Sequence, residues 1–391
     1  MRILHFSQTL PGGVASYLEE IAPRQIEVFG EQNIKFVLPE QDRRHVPSIP
    51  DACFQGFSDS SRTLRGLYGM ARFVREVIRD WQPDVVHLHS SFAGGLGRLP
   101  LLGRSRSFAV VYCSHGWSFV GHSSGMKAYG YSLVERLLAR ATDRIVAVSE
   151  FERRVALTYG FRPTKLITIR NGISPHPPAT QPSAALDRGK INLLFVGRLD
   201  PQKGLDLLLE AMRAVTRPDV HLHVLGSAIV SEGRSLENTA NVTFHGWMGR
   251  DEVFAFMAGV DAVVMPSRWE AFGLVAVEAM RFGKPVLASV RGALPEIVDH
   301  GESGLLFEPT DPFMLADVID RLERPMLEKM GAIGKARFQA FFTADRVNAE
   351  LIRLYHEVVA ERRTLAGAGK THASAVSAKA ENAMFATTPH R

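Results

Sequence analysis

Residues 191–204 read INLLFVGRLDPQKG, and this stretch decides the fold. Six apolar residues predict a strand, Gly197 permits a sharp turn, and a helical pattern follows Gly204. Arg198 and Lys203 add two cations at the strand end, where the unpaired amides of a helix start also favour an anion. The turn therefore suits a diphosphate, although it lacks the G-x-x-x-x-G-K-[ST] pattern of a P-loop.

Strands and helices alternate on both sides of this turn. Examples are the apolar runs 3–6 and 108–113 and the helical pattern 62–81, whose apolar residues recur at spacings of three and four. Such alternation predicts βαβ units and parallel sheets that are covered on both faces. We therefore predict an α/β fold of two doubly wound, Rossmann-like domains that face each other across a cleft, where ligands bind at the carboxyl ends of the strands.

A proline-rich segment divides the two domains. We predict an N-terminal domain over residues 1–174, a linker over 175–189 and a C-terminal domain over 190–342. A final amphipathic helix is expected over 343–363. The remaining residues, 364–391, are rich in small side chains, and we expect a disordered tail there.

Composition restricts the class of protein. The chain has 391 residues, of which 46% are hydrophobic and 22% charged, as expected for a globular protein of two domains. Two cysteines exclude a disulfide framework and favour a reducing cytosol. No apolar run approaches the ~18 residues of a membrane span. The net charge of +5 is concentrated in the first half, which suits an anionic partner.

A second motif is EAFGLVAVE, residues 270–278, which carries a carboxylate at each end. Gly273 allows close backbone approach, and the amides of Gly273 and Leu274 open a helix, so they can bind an anion. Glu278 lies among apolar residues, where a carboxylate needs partners such as ligand hydroxyls. The alternative is that Glu278 points to solvent.

Histidines and glycines at other strand ends are further candidates. His115 follows the run 108–113, where an imidazole can bind a sugar or phosphate or move a proton, although a lone histidine is more often structural. His87 and His89 share one strand face, and we interpret them as packing or hydrogen-bonding groups, because no further metal ligands are evident. Gly12 and Gly13 lie between the first strand and helix, in a turn that allows close approach to a ligand or is simply tight.

Seven motifs occur in a fixed order along residues 1 to about 360. They are PGGV (11–14), SHGW (114–117), VSE (148–150), NGI (171–173), GRLDPQKG (197–204), EAFGLVAVEAM (270–280) and GALPEIV (292–298). Together they resemble the retaining family-4 glycosyltransferases of the GT-B fold. The GR…KG turn combined with E-x-F-G-x-x-x-x-E is the most specific part of the resemblance.

The resemblance implies a role for each candidate residue. Arg198 and Lys203 would hold the donor's diphosphate, Glu270 would bind hydroxyls of the transferred sugar, and Glu278 would hold the ribose. His115 would lie near the reacting face of the sugar.

Backbone groups complete the site that the resemblance implies. The backbone of Phe272, Gly273 and Leu274 would contact sugar and phosphate, and the turn of Gly12 and Gly13 would close on the donor. The nucleobase would bind near residues 246–248, and the last helix would cross back to the first domain.

These residues suit electrostatic catalysis. Arg198, Lys203 and the helix-start amides would stabilise the negative charge that develops on the departing phosphate. No Asp-x-Asp triplet occurs in the sequence, so we expect no metal and no cofactor besides the nucleotide-sugar donor. Retention of configuration is implied by the resemblance alone. A front-face route, with the leaving phosphate as base, is our hypothesis because no nucleophilic carboxylate is evident.

The acceptor is expected at the N-terminal domain. The helix 62–81 carries five arginines, and Arg98, Arg104 and Arg106 follow it among leucines. Such a surface suits a lipid-linked saccharide acceptor and peripheral contact with an anionic membrane from the cytoplasm, although a solvated helix face is an alternative. This expectation points to the synthesis of a cell-surface polysaccharide, lipopolysaccharide or glycolipid.

Two other classes of function remain open at this point. The same fold could serve a nucleotide-sugar epimerase or a glucan synthase. A non-catalytic sugar-nucleotide-binding protein is another alternative, which the intact motif residues disfavour. A nucleic-acid partner is not expected, because no aromatic residues are interleaved with the basic ones.

Overall fold

Two runs of apolar strands build two separate parallel sheets. The structure is a computed structural model that describes residues 1–10, 12–121, 125–227 and 239–385, the last twenty-one of these through their backbone alone. The first sheet has seven strands in the order β3-β2-β1-β4-β5-β6-β7. These strands are β1 (Ile3–Ser7), β2 (Ile34–Pro39), β3 (Phe54–Phe57), β4 (Val85–His89), β5 (Ala109–Cys113), β6 (Arg144–Ala147) and β7 (Leu166–Thr168).

The second sheet has six strands in the order β10-β9-β8-β11-β12-β13. They are β8 (Ile191–Val196), β9 (Val220–Leu225), β10 (Val242–Gly246), β11 (Ala262–Met265), β12 (Val286–Ser289) and β13 (Gly304–Phe307). Every ladder within the two sheets is parallel, and most strand residues are buried because helices cover both faces. The predicted pair of doubly wound α/β domains is confirmed.

Helices connect the strands in both domains. The N-terminal set is α1 (Gly13–Phe29), α2 (Leu64–Trp81), α3 (Ser91–Arg98), α4 (Gly125–Leu138) and α5 (Glu150–Thr158). The C-terminal set is α6 (Leu205–Ala214), α7 (Arg250–Gly259), α8 (Leu274–Arg281), α9 (Leu294–Ile297), α10 (Pro312–Asp320), α11 (Arg324–Phe341) and α12 (Ala344–Phe385). No helix in the described ranges has the length and hydrophobicity needed to cross a bilayer.

The strand order reverses once in each sheet, between β1 and β4 and between β8 and β11. Open α/β sheets bind ligands at such a reversal, outside the carboxyl ends of the strands. The two carboxyl edges meet: the Ser149 hydroxyl, after β6, donates to the Ala271 carbonyl, after β11, at 2.7 Å. The Glu150 and Phe151 amides donate to the Glu296 carboxylate across the same boundary. The candidate site residues therefore lie along one interdomain groove.

Helix α12 returns to the N-terminal domain and packs on α1. Its Tyr355 hydroxyl lies 2.7 Å from Nδ1 of His87, and Arg362 pairs with Asp143 at 2.9 Å. The helix continues to Phe385, beyond residue 363 where we expected it to end, and the disordered tail expected from residue 364 onwards stays a prediction. This segment is rich in alanine, which has the highest helix propensity. Residues 386–391 of that prediction lie outside the described residues.

Helix α4 has an inverted distribution of polar and apolar side chains. It buries Ala128, Ser132 and Glu135 and exposes a set of large apolar side chains. That set is Met126, Tyr129, Tyr131, Leu133, Val134 and Leu137. A globular helix normally buries such residues, so this exposed face is unusual.

The predicted basic surface around α3 is partly wrong. The Arg98 side chain is fully buried and pairs with Glu135 of α4 at 2.7 Å. Arg106 is also largely buried and pairs with Asp143 at 2.7 Å. Only Arg104 of the three arginines is exposed, because acidic partners from elsewhere in the fold neutralise the other two.

Candidate functional site

The turn after β8 is held by its own side chains. The Asp200 carboxylate accepts the Lys203 amide at 3.2 Å and caps a short 3-10 turn. Arg198 pairs with Asp200 at 3.1 Å and donates to the Gln202 side chain at 2.7 Å. The Arg198 side chain is nevertheless about half exposed, so its guanidinium is available to an anion in the groove.

The turns after β8 and β11 meet, because those strands are neighbours. Lys203 Nζ lies 2.6 Å from the Glu270 carboxylate, which also accepts the Ser267 hydroxyl at 3.0 Å. Gly204 has φ +70°, and a Cβ there would lie 2.1 Å from the Pro266 carbonyl oxygen. This close approach places the lysine and the carboxylate side by side.

The loop that follows β12 fixes the backbone around Glu270. The Glu270 carbonyl accepts the Ala293 amide at 3.1 Å, and a Cβ on Gly292 would lie 2.1 Å from the Glu270 carbonyl oxygen. Gly273, at φ +109°, then opens α8 without a side-chain cap, so the first amides of that helix are available to an anion. Phe272 packs into the core, which leaves only its backbone for a ligand.

Glu278 lies within α8 and is partly buried. Burial raises the pKa of its carboxyl, and Arg250 and Arg281 oppose that shift while Glu20 adds to it. Within the described ranges the Glu278 carboxylate makes no hydrogen bond or ion pair. It is therefore free to accept ligand hydroxyls.

His115 lies on the opposite side of the groove. Its φ of +53° is rare for a residue with a side chain, and burial lowers its pKa to about 3. The next residue, Gly116, faces the C-terminal domain: a Cβ there would lie 3.6 Å from the Ala271 side chain. His115 therefore stands beside the EAFG loop as a neutral imidazole.

Further imidazoles lie behind His115. Its Nε2 is 3.0 Å from Nδ1 of His89, whose Nε2 is 3.0 Å from Nδ1 of His5. The Nε2 of His5 lies 2.9 Å from the Gln25 side-chain oxygen, and His87 contacts the Tyr355 hydroxyl through Nδ1. The interpretation of His87 and His89 as hydrogen-bonding groups is confirmed.

Sequence reasoning missed His5 and Gln25. A histidine within the apolar run ILHF and a glutamine on the buried side of α1 are both polar residues in apolar surroundings. Buried polar groups are normally hydrogen-bonded, so these two positions already signalled an internal network.

A cavity of about 330 Å³ lies at the carboxyl ends of β8, β9 and β10, next to Arg198. Its walls include Trp247 and Met248, from the stretch that the resemblance associated with a nucleobase. The Trp247 side chain is 76% exposed, which leaves its ring free to stack on a ligand.

Gly12 and Gly13 lie at the start of α1 on the N-terminal side. Gly12 has φ +94°, and a Cβ at either position would point into open space. The structure thus brings Arg198, Lys203, Glu270 and the start of α8 together, while Gly12, Gly13 and His115 lie on the other domain.

Comparison with solved structures defines the fold. The fold is similar to that of Anabaena Alr3699/HepE, crystallised in complex with UDP, with a TM-score of 0.76 and 24% identity. The match covers 91% of this chain and 100% of that one. At this identity the likeness establishes the fold, which is GT-B.

The family follows from the sequence comparisons. Residues 11–176 match the family model for Glycosyltransferase Family 4, and residues 178–337 match that for Glycosyl transferases group 1. An "Uncharacterized 41.2 kDa protein in cps region" from Klebsiella pneumoniae is 30% identical, covering 82% of this chain and 89% of that protein. A D-inositol 3-phosphate glycosyltransferase from Streptomyces scabiei is 25% identical, covering 84% and 83%. The chain belongs to the glycosyltransferase family that these two models describe and is a glycosyltransferase.

Proposed function

We propose that the protein transfers a hexosyl group from a nucleotide-diphosphate sugar to a saccharide acceptor, with retention of configuration and without a metal. The observation that carries the proposal is the meeting of Arg198, Lys203 and Glu270 at two neighbouring strand ends, beside the open start of α8. The solved relative HepE has been crystallised with UDP and with UDP-glucose, which supports a nucleotide-sugar donor.

The groups of this site suit the departure of a diphosphate. As the bond between the anomeric carbon and the phosphate oxygen breaks, its electron pair moves to that oxygen. Arg198, Lys203 and the α8 amides stabilise the resulting charge. The acceptor hydroxyl forms the new bond to the anomeric carbon on the same face, and its proton passes to the departing phosphate oxygen.

The ion pair between Lys203 and Glu270 prepares both groups for this ligand. The Lys203 ammonium is largely buried, and burying it unpaired would cost free energy. Before the donor binds, the Glu270 carboxylate compensates this charge. When the diphosphate arrives, Lys203 gains a second anionic partner, and Glu270 can turn its other oxygen to the hydroxyls of the sugar. Glu270 is thus proposed to bind sugar rather than to attack it.

A donor screen tests this proposal. Nucleotide sugars with different bases and sugars are incubated with the wild type, Lys203→Ala and the control Arg213→Ala, which removes an exposed cation on α6. We expect wild type and control to consume one donor at equal rates, and Lys203→Ala to do so about a hundredfold more slowly. Consumption of no donor by the wild type, or equal rates for Lys203→Ala, would contradict the proposal.

We propose further that the acceptor is lipid-linked and is met at a membrane surface by α4. Its exposed apolar face is accompanied by Lys127, Arg136 and Arg140, whereas its one acidic residue, Glu135, is buried. Apolar side chains flanked by cations suit the boundary of an anionic membrane. The Klebsiella relative from a cps region supports a role in surface polysaccharide synthesis.

Flotation with phosphatidylglycerol vesicles tests the membrane contact. The variant Val134→Asp/Leu137→Asp disrupts the exposed face of α4, and Phe313→Asp/Met314→Asp is a matched control at an exposed apolar pair on α10. We expect wild type and control to float with the vesicles and the α4 variant to remain in the unbound fraction. The proposal would be overturned if the wild type did not bind the vesicles. It would also be overturned if the α4 variant still floated and differed from the wild type only in oligomeric mass.

A further inference from the structure

A continuous chain of hydrogen bonds runs through the N-terminal domain and ends at the groove. It starts at Gln25 on α1, continues through His5 on β1 and His89 on β4, and reaches His115 after β5. The three contacts measure 2.9, 3.0 and 3.0 Å, and the first three side chains are fully buried. The chain therefore links helix α1 to the site.

The chemistry of neutral imidazole gives this chain a direction. A neutral imidazole has one N–H donor and one lone pair, so a fixed donor role for one nitrogen fixes the acceptor role of the other. The Gln25 oxygen can only accept, so Nε2 of His5 donates to it and Nδ1 of His5 accepts. His89 must then donate through Nε2 and accept through Nδ1.

The last link leaves His115 with its proton on Nε2. Its Nδ1 has no partner among the side chains that the structure describes, and is left as a lone pair. Burial keeps the chain neutral: the pKa of His5 is lowered to about 4 and that of His89 lies well below its usual value. The remaining titratable neighbours, which are Tyr17 on α1, His87 on β4, Cys113 on β5 and Tyr355 on α12, carry no charge that would reverse the order.

We propose that Gln25, His5 and His89 are positioning residues that hold His115 as the Nε2–H tautomer, with Nδ1 ready to accept a hydrogen bond from a hydroxyl of the bound sugar or acceptor. The proposal rests on the proposed glycosyl transfer, which supplies that hydroxyl. The left-handed backbone of His115 agrees with it, because strain at a residue with a side chain is retained where the surroundings enforce a particular orientation.

A metal site is the competing interpretation of these histidines. One ring nitrogen from each of His5, His87 and His89 lies within 4.8 Å of the others. Both nitrogens of His5 and of His89 are already engaged in the chain, however, and only Nε2 of His87 is unpartnered. The hydrogen bonds therefore account for the arrangement of these rings better than a metal would.

Nitrogen NMR of ¹⁵N-histidine-labelled protein tests the tautomer directly and needs no substrate. Two-bond proton–nitrogen correlations distinguish Nε2–H from Nδ1–H. We expect His115 to be Nε2–H in wild type and to become a mixture of tautomers in Gln25→Leu, which removes the terminal acceptor. The control His87→Gln, at a buried position outside the chain, leaves the His115 signal unchanged.

Kinetics test the consequence. We expect Gln25→Leu to lower kcat about tenfold, the scale of a lost supporting hydrogen bond, with donor KM changed by less than about twofold. A wild-type His115 protonated at Nδ1, or a Gln25→Leu variant with unchanged tautomer or unchanged kcat, would overturn the inference. Since the NMR result needs no donor, it stands or falls separately from the proposed function.

Discussion

The two sides of the groove differ in charge. On the C-terminal side the strand ends carry ionised groups in pairs, Lys203 with Glu270 and Arg198 with Asp200. On the N-terminal side the strand ends carry neutral imidazoles, of which His115 is the outermost. The difference indicates a division of labour: one domain is built to hold anionic phosphate, and the other presents uncharged hydrogen-bonding groups to a sugar or an acceptor.

The C-terminal domain contains a similar amide–imidazole chain, which makes the contrast sharper. Asn192 accepts His223 at 3.1 Å, and His223 lies 3.0 Å from His245. The Asn192 amide is held in place because its nitrogen donates to the Asp187 and Lys190 carbonyls. This chain ends in β10, one residue before Gly246. Each domain thus supports one loop with neutral groups, and the C-terminal domain adds the pairs Lys203–Glu270 and Arg198–Asp200.

Removing the cations is expected to have the largest effect. Arg198→Ala and Lys203→Ala should each lower the kcat of transfer about 10²–10³-fold, because each cation stabilises charge that develops in the transition state. The double variant should lose less than the product, since both groups act on one diphosphate. Steady-state kinetics measures this, and additive losses would indicate that the two residues act separately.

The second-largest effect is expected from acidification, which should lower the stability of the N-terminal domain. The folded-state pKa of His5 is about 4, below the usual value of 6.5, so the unfolded chain binds more protons between those values. The contribution of His5 to the free energy of unfolding should be constant above about pH 6.5 and fall by about 3 kcal/mol towards pH 4. Urea denaturation at several pH values measures this, and His5→Gln should reduce the slope between those pH values. An equal slope in that variant would contradict the assignment.

Glu278→Gln should weaken donor binding and spare the chemical step. The loss of a charged acceptor for hydroxyls corresponds to an increase in donor KM of about tenfold to a hundredfold, with kcat changed far less. The same variant should be more stable to unfolding, because a partly buried carboxylate without an ion pair is replaced by a neutral group. A fall in kcat with unchanged KM would place Glu278 in the reaction instead.

Trp247→Ala should have the smallest effect of the four. Stacking of a base on an aromatic ring contributes about 1–3 kcal/mol, so nucleoside diphosphate affinity should fall by about tenfold. The loss should be the same for the diphosphate and the monophosphate of one nucleoside, because the Trp247 ring would stack on the base, which both nucleotides share. A loss limited to the diphosphate would contradict this division within the C-terminal side.

Local features of the sequence predicted the fold and the position of the cationic turn of the candidate site. The apolar strand before Gly197 and the helix after Gly204 are contiguous, so the cationic turn could be recognised without knowledge of the sheet. The pairing of Lys203 with Glu270 could not, because it depends on β8 and β11 being neighbours. Arg98 was misassigned for the same reason: its partner Glu135 is distant in sequence.

Short strands and polar core residues show the same limit. Strands β3 and β13 are four residues long and include a glycine, and β7 has only three residues, so all three carry too little pattern to predict. The chain from Gln25 through His5 joins a helix to two strands. The parallel register of β1 and β4 pairs His5 with His87, so His89 lies on the same face two residues further along, within reach of His5. Side chains that act through distant partners need the fold before their role is visible.

Calorimetric titration with nucleoside diphosphates and monophosphates is the most direct test of the central claim that the C-terminal cations hold the diphosphate. We expect the wild type to bind the diphosphate of one nucleoside far more tightly than its monophosphate, and this difference to disappear in Arg198→Ala/Lys203→Ala while monophosphate affinity is retained. A preference for the diphosphate that survives in the double variant, or that is absent from the wild type, would contradict it.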